Sequence, residues 1–345
     1  MATLDELELR LRALEQAQVA EPISYYTSIF SGEEMDQRLA AAGVLGGAST
    51  PQAALAALGA AVQENELDNA YFVGGGTGWG SFPVNQRGQA EYSGVAPLFD
   101  RWKNSFGDGG AITLTQNGVT FTGANPYLAI RQVLKRALPI GETYSLSILL
   151  HDKSFYTQVI TVPTKNEYSQ PVLIGNSMLR LFGPDLFELI VFNGDTIPEV
   201  VLIKLEPGKT QTAAYQKADG TWAMLPKNLD YQQELAKCQA YLWVPQQKNG
   251  YTVLGVGHAE NANIAWVTVV PPVSMRTGGT PTVKISDVSA LNLRGSSIVT
   301  ATGVSVDQAT NGTPILLRVE GTFTPGEALD VFLANSASIE FSREL

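Results

Sequence analysis

The amino-acid sequence predicts a mainly β protein preceded by an α-helical stalk or anchor, and three observations carry this. Glycine and proline number 33 and 18 in 345 residues, which suits short strands joined by tight turns. From Ala111 onward, short runs rich in Val, Ile, Thr, Tyr and Phe recur, each bounded by Gly, Pro, Asn or Asp. Before residue 65 the pattern is different, because the apolar residues step by three and four.

Taken in order, Leu4, Leu7, Leu11 and Leu14 form an a/d seam of roughly two heptads. So short a helix is marginal alone. Its stripe must be buried against a copy of itself, another protein or, equally, its own domain; packing around a symmetry axis, most simply threefold, is the expectation. Ser31 and Glu34 have capping-box spacing ahead of Met35 and Leu39, and Gly43 ends that stripe. Thr50-Pro51 opens a further helix with Leu55, Leu58 and Val62 on one face. Residues 1–67 read as the helical segment. The run Val73 to Gly80 is rich in glycine, yet no Gly-Lys-Ser/Thr follows it, so it reads as a surface loop rather than a phosphate cradle.

The strands begin with Ile112–Gln116 and Val119–Thr122 around Asn117-Gly118, the strongest hairpin signal in the chain. Further strands are expected at 127–134, 144–150, 155–162, 187–192 and 200–205, giving a β-sandwich over residues 68–226. Residues 228–243 read as an amphipathic helix with Asp230 at its cap and Tyr231, Leu235, Cys238 and Leu242 on one face. Strands at 252–256, 264–270, 282–285, 297–302, 315–320, 329–333 and 339–341 then predict a smaller antiparallel β domain, so that the joint helix and this domain occupy 227–345.

The totals exclude several classes. A net charge of −10 with 16% charged residues lacks the clustered cations of a nucleic-acid footprint and does not suit an anionic membrane surface. No apolar run approaches the ~18 residues that span a bilayer, and no apolar leader follows the charged N-terminus. The single cysteine, Cys238, excludes an intrachain disulfide. His151 and His258 have no metal spacing, no Gly-x-Ser-x-Gly elbow occurs, and nothing calls for a cofactor. Asp185, Glu188, Asp195 and Glu199 lie near one another in sequence and supply the carboxylates a glycan-cleaving enzyme would need, but surface solvation explains them equally well.

Several short motifs together resemble a module of bacteriophage and prophage tail and fibre proteins. They are Asp68-Asn69, Tyr71-Phe72, Gly74-Gly75-Gly76, Asn85-Gln86-Arg87-Gly88 and Asp100-Arg101-Trp102. Tyr25 to Glu34 is similar to the linker before that module. Ile203-Lys204-Leu205-Glu206-Pro207-Gly208 resembles its last strand, and Asp230 to Gln239 the joint after it. The likeness covers about residues 25–345.

It implies a jelly-roll-like sandwich of carbohydrate-binding type in a non-enzymatic virion fibre. The expected partners are a second and third copy of the chain, other virion proteins through the N-terminal helices, and a bacterial surface glycan. Synthesis would be in the host cytoplasm without a signal peptide, and the final location the virion. A head fibre or capsid decoration protein is the nearest alternative, and a polysaccharide-degrading tail spike the alternative from another class. Aromatic rings stack on sugar C–H faces, which makes Trp79, Tyr92, Trp222 and Tyr251 the glycan-binding candidates, with Trp102 and Trp266 assigned to the core. A fibre anchored at its N-terminus presents its far end, so residues 244–345 are expected to carry the contact surface.

Overall fold

Antiparallel sheets account for nearly half of the described residues, as the turn residues and alternation predict. The structure is a computed structural model describing residues 63–75, 80–94, 97–106, 110–122, 127–195, 197–217, 219–225, 229–245, 251–276, 280–309, 314–334 and 337–343. The leucine seam, the Ser31 capping box and the Leu55–Val62 stripe lie outside them. Residues 64–211 with 228–345 form one compact unit, and residues 1–63 with 212–227 another.

In the larger unit the first strands are β1 (Glu91–Ser93), β2 (Lys103–Phe106), β3 (Ala111–Thr115), β4 (Gly118–Thr122), β5 (Tyr127–Val133) and β6 (Thr143–Leu150). There follow β7 (Phe155–Thr161), β8 (Val172–Ile174), β9 (Ser177–Phe182), β10 (Leu186–Phe192) and β11 (Val200–Pro207). They build a six-stranded sheet, β1-β3-β4-β11-β6-β7, and a five-stranded sheet, β2-β5-β10-β9-β8. Ile112, Leu146, Ile148 and Ile203 from the first sheet share one core with Leu128, Leu179 and Phe187 from the second, so the sheets pack face to face.

The hairpin forms, but its turn sits one residue earlier than the sequence suggests. Thr115 pairs with Gly118, leaving Gln116-Asn117 as the loop. Thr115 Oγ1 accepts the N–H groups of both Asn117 and Gly118 at 3.1 Å. Gly118 is needed in the strand itself, because a Cβ there would lie 2.4 Å from the Val200 carbonyl oxygen.

Strands β6 and β11 are buried along nearly their whole length. One face carries the core leucines and isoleucines; the other carries Ser145, Ser147, Lys204 and Glu206, also buried. Lys204 Nζ lies 3.0 Å from Glu206 Oε2, with neither side chain exposed. Burial pushes the Lys204 ammonium below its ordinary pKa while Glu206 opposes the shift.

The smaller unit contains the hairpin of β12 (Ala214–Gln216) and β13 (Trp222–Met224). Its turn is held by Asp219, whose carboxylate accepts from Thr221 N at 2.9 Å and Oγ1 at 2.6 Å.

Helix α1 (Tyr231–Gln239) is shorter than the expected 228–243. Asp230 caps it by accepting from Gln232 N and Gln233 N. Cys238 and Leu235 pack with Val84, and Cys238 is fully buried, which raises its thiol pKa well above the usual value. Leu242 leaves the helix because it pairs in a strand, β14 (Leu242–Trp243), with β23 (Ile339–Ser342). The other C-terminal strands are β15 (Tyr251–Ala259), β16 (Ile264–Val269), β17 (Thr282–Ile285), β18 (Leu291–Arg294) and β19 (Ile298–Thr300), then β20 (Gly303–Ala309), β21 (Ile315–Glu320) and β22 (Ala328–Ala334).

A seven-stranded sheet, β19-β18-β22-β15-β16-β21-β20, and a three-stranded sheet, β14-β23-β17, share a second core containing Val267, Leu317, Val331, Ile339 and Phe341. In β16 the core takes Ala265, Val267 and Val269. Trp266 therefore corrects the expectation of a core residue: period-two alternation turns it to the opposite face, where it is half-buried.

Candidate functional site

The motif residues converge, although they come from separate loops. Asn69, in the left-handed region at φ 52°, donates from Nδ2 to the carbonyls of Val84 at 2.7 Å and Asp100 at 2.8 Å. Its Oδ1 accepts Val84 N–H at 2.6 Å. Its own N–H donates to Glu234 of α1, and its carbonyl accepts Trp102 Nε1–H at 2.9 Å. The Asp100 carboxylate accepts from Gln86 N at 2.9 Å and Gln86 Nε2 at 2.6 Å. Each bond satisfies a group that burial would otherwise leave unpaired, at about 1–3 kcal/mol.

From this cluster two side chains reach the C-terminal strands. Gln86 Nε2 donates to Leu242 O at 2.7 Å, and its Oε1 accepts Val244 N–H at 3.2 Å. Arg87 makes a two-pronged pair with Glu340, Nε to Oε2 at 3.2 Å and Nη2 to Oε1 at 2.9 Å, and donates from Nη1 to Leu98 O at 3.0 Å. Arg101 lies at φ 73°, a strained conformation for a non-glycine residue. It is held by Asp68 Oδ2 at 3.2 Å, by Val133 O at 2.6 Å, and by the Tyr241 ring, whose centroid is 3.4 Å from the guanidinium carbon. The motifs thus lock the first β region to α1 and to the C-terminal region.

Beside the lock is an open cleft of about 380 Å³. Among the described residues the first β region contributes Gln86, Arg87, Gln89 and Pro97. The C-terminal region contributes Val244, Lys284, Ser286, Ser338 and Glu340. Lys284 and Glu340 are cross-strand partners in the β17–β23 register, which places both side chains on one face.

Of the four aromatic candidates, Trp222 and Tyr92 have described side chains. Trp79 lies outside the described residues, as does the side chain of Tyr251, whose backbone opens β15. Trp222 is half-buried on β13. Tyr92 is only 5% exposed; its ring packs edge-on to Phe99 at 6.3 Å and its hydroxyl donates to Asn85 Oδ1 at 2.8 Å. That corrects its candidacy, because a ring buried in the core has no face left for a sugar.

The carboxylates weighed for hydrolysis have separate partners. Glu188 lies between Arg131 at 2.5 Å and Arg180 at 3.2 Å. Asp195 accepts from Ser177 Oγ at 2.5 Å and Asn176 Nδ2 at 3.0 Å. Glu199 accepts from Thr115 Oγ1 at 2.8 Å and lies 3.4 Å from His151. No group of three or more His, Cys, Asp or Glu side chains among the described residues is placed to hold a metal ion.

Lys284, Ser286, Ser338 and Glu340 were not singled out by the sequence reading. The alternation in Thr282-Val283-Lys284-Ile285 marks Lys284 as outward-facing, but no local pattern pairs it with Arg87. Compared with known protein families, curated proteins and solved structures, the chain matches none.

Proposed function

We propose that this chain is a virion fibre protein of a bacteriophage or prophage, attaching the particle to a bacterial surface polymer by non-covalent glycan binding. The observation that supports the reading is the lock itself. The short motifs that resemble the phage module, Asp68-Asn69, Asn85 to Arg87 and Asp100 to Trp102, come together in one bonded cluster. In this reading the two face-to-face sheets are the jelly-roll-like, carbohydrate-binding-type sandwich, and the N-terminal residues form the helical anchor that trimerises and meets other virion proteins. The partition into residues 1–67, 68–226 and 227–345 belongs to the same reading.

The test uses the full chain against immobilised bacterial surface polysaccharides, reading binding and reducing-end release together. Binding without release is the expected result. Release of reducing ends would make the protein a degrading spike, and binding to no polysaccharide would remove the attachment role. Labelling the N-terminal segment in an assembled particle separates a tail fibre from a head fibre or decoration protein.

A further inference from the structure

We infer that the cleft beside Arg87 and Glu340 is the saccharide site of this protein, and that it takes a sugar bearing a carboxylate. The inference rests on the attachment reading above and names the residues that would carry it.

The cleft's volume, about 380 Å³, falls in the range of small-ligand sites and suits one or two sugar rings. Its floor is held in place. The Arg87 and Glu340 side chains are 11% and 22% exposed, and the two-pronged pairing leaves neither able to swing away without losing both contacts. The same pairing balances the Glu340 charge.

Lys284 is different: its backbone pairs with Glu340 across β17 and β23, but its exposed side chain makes no ion pair or hydrogen bond among the described residues. An unmatched ammonium therefore faces a cleft in a chain of net charge −10. That is a local site for an anion on a surface that otherwise repels one.

The surrounding groups favour a hydroxyl-rich anion over a bare one. Ser286 Oγ accepts Ser338 N–H at 2.9 Å, which leaves the Ser286 hydroxyl proton to donate. The Gln89 amide and the Ser338 hydroxyl have no partner among the described residues, and each both donates and accepts. Pro97 and Val244 give apolar walls for the C–H faces of a ring. A phosphate-recognition site would instead concentrate several guanidinium or backbone N–H donors, and the guanidinium here is already committed to Glu340 and Leu98.

The experiment is titration calorimetry of the full chain with tri-galacturonate, maltotriose and inorganic phosphate, repeated with Lys284→Gln, Lys284→Glu and the double variant Gln89→Ala/Ser338→Ala. Thermal melts check that these exposed-site variants stay folded. Tri-galacturonate is expected to bind and maltotriose and phosphate not. Loss of one charge-assisted contact in Lys284→Gln should weaken binding by about tenfold, and Lys284→Glu should abolish it. The double variant should weaken tri-galacturonate binding without adding phosphate binding.

Three results would overturn the assignment. Acidic and neutral sugars could bind alike and ignore Lys284→Glu, placing the saccharide elsewhere and leaving the attachment reading intact. Phosphate could bind as tightly as tri-galacturonate. Neither these sugars nor any surface polysaccharide could bind, in which case the attachment reading falls as well.

Discussion

The two β regions of the larger unit bury their strands in different ways. In the first, β6 and β11 are buried on both faces, and the face away from the core holds a lysine, a glutamate and two serines. In the second, β16 and β21 alternate cleanly between buried and half-buried or exposed. Their sheet leaves Val256 63% exposed and Val253 68% exposed. A strand covered on both sides must satisfy every polar group internally; a strand covered on one side can leave its outward residues to water. The first region is therefore the one where single substitutions have large effects, and the second is where surface chemistry is free to vary.

Trp102→Ala is the largest test of that contrast. Trp102 meets Phe72 at 5.6 Å and Phe187 at 5.8 Å between ring centroids, and donates to Asn69 O. Its truncation should cost about 3–5 kcal/mol by urea denaturation. A variant of unchanged stability would mean that the core around Phe72 and Phe187 closes without the Trp102 ring.

Next is Lys204→Met, which leaves the buried Glu206 without its ammonium and should cost about 3–5 kcal/mol. Replacing both residues with apolar ones of similar size should recover most of that loss. If the double variant is as unstable as the single one, the pair makes a stabilising contribution that apolar packing cannot replace.

Arg87→Met removes the two-pronged bond across the regions and should cost about 1–3 kcal/mol. Calorimetry should then show the two regions melting less cooperatively; a single unchanged transition would mean that Gln86 and Asn69 suffice to couple them.

Acid should act more gently and on both regions. Asp195 in the first region is held below its ordinary pKa by the Ser177 hydroxyl, and Glu327 in the second by Ser296. A carboxylate whose folded pKa is depressed adds stability that is present above its unfolded value, near pH 4, and is lost as pH falls through the folded one. Urea midpoints should therefore fall between pH 5 and pH 3, and Glu327→Gln should flatten that decline slightly. The smallest effect should come from Val256→Thr on the open face, within about 0.5 kcal/mol of wild type.

Much of the second region was legible residue by residue. Ile264 to Val269 alternates, and the strand lies there; only Trp266 departs from the expected core, because place in the alternation, not ring size, decides which face a residue takes. In the first region the long apolar strands were legible too, at Leu186–Phe192 and Val200–Pro207. Short strands such as Val172–Ile174 and Leu291–Arg294 were not. Pairing along their edges, rather than a run of local preference, is what makes them strands.

By itself the sequence determined the mainly β character of the described residues, the positions of the longer strands and the Asp230 cap, since these follow from period, turn chemistry and capping within about ten residues of chain. Only the tertiary structure decided that Lys204 and Glu206 are buried, that Tyr92 has no open face, and that Arg87 meets Glu340 across 253 positions of sequence. Local periodicity says which face of a strand a residue occupies. It does not say what will cover that face or which distant loop will arrive beside it, because that is settled by how the sheets pack.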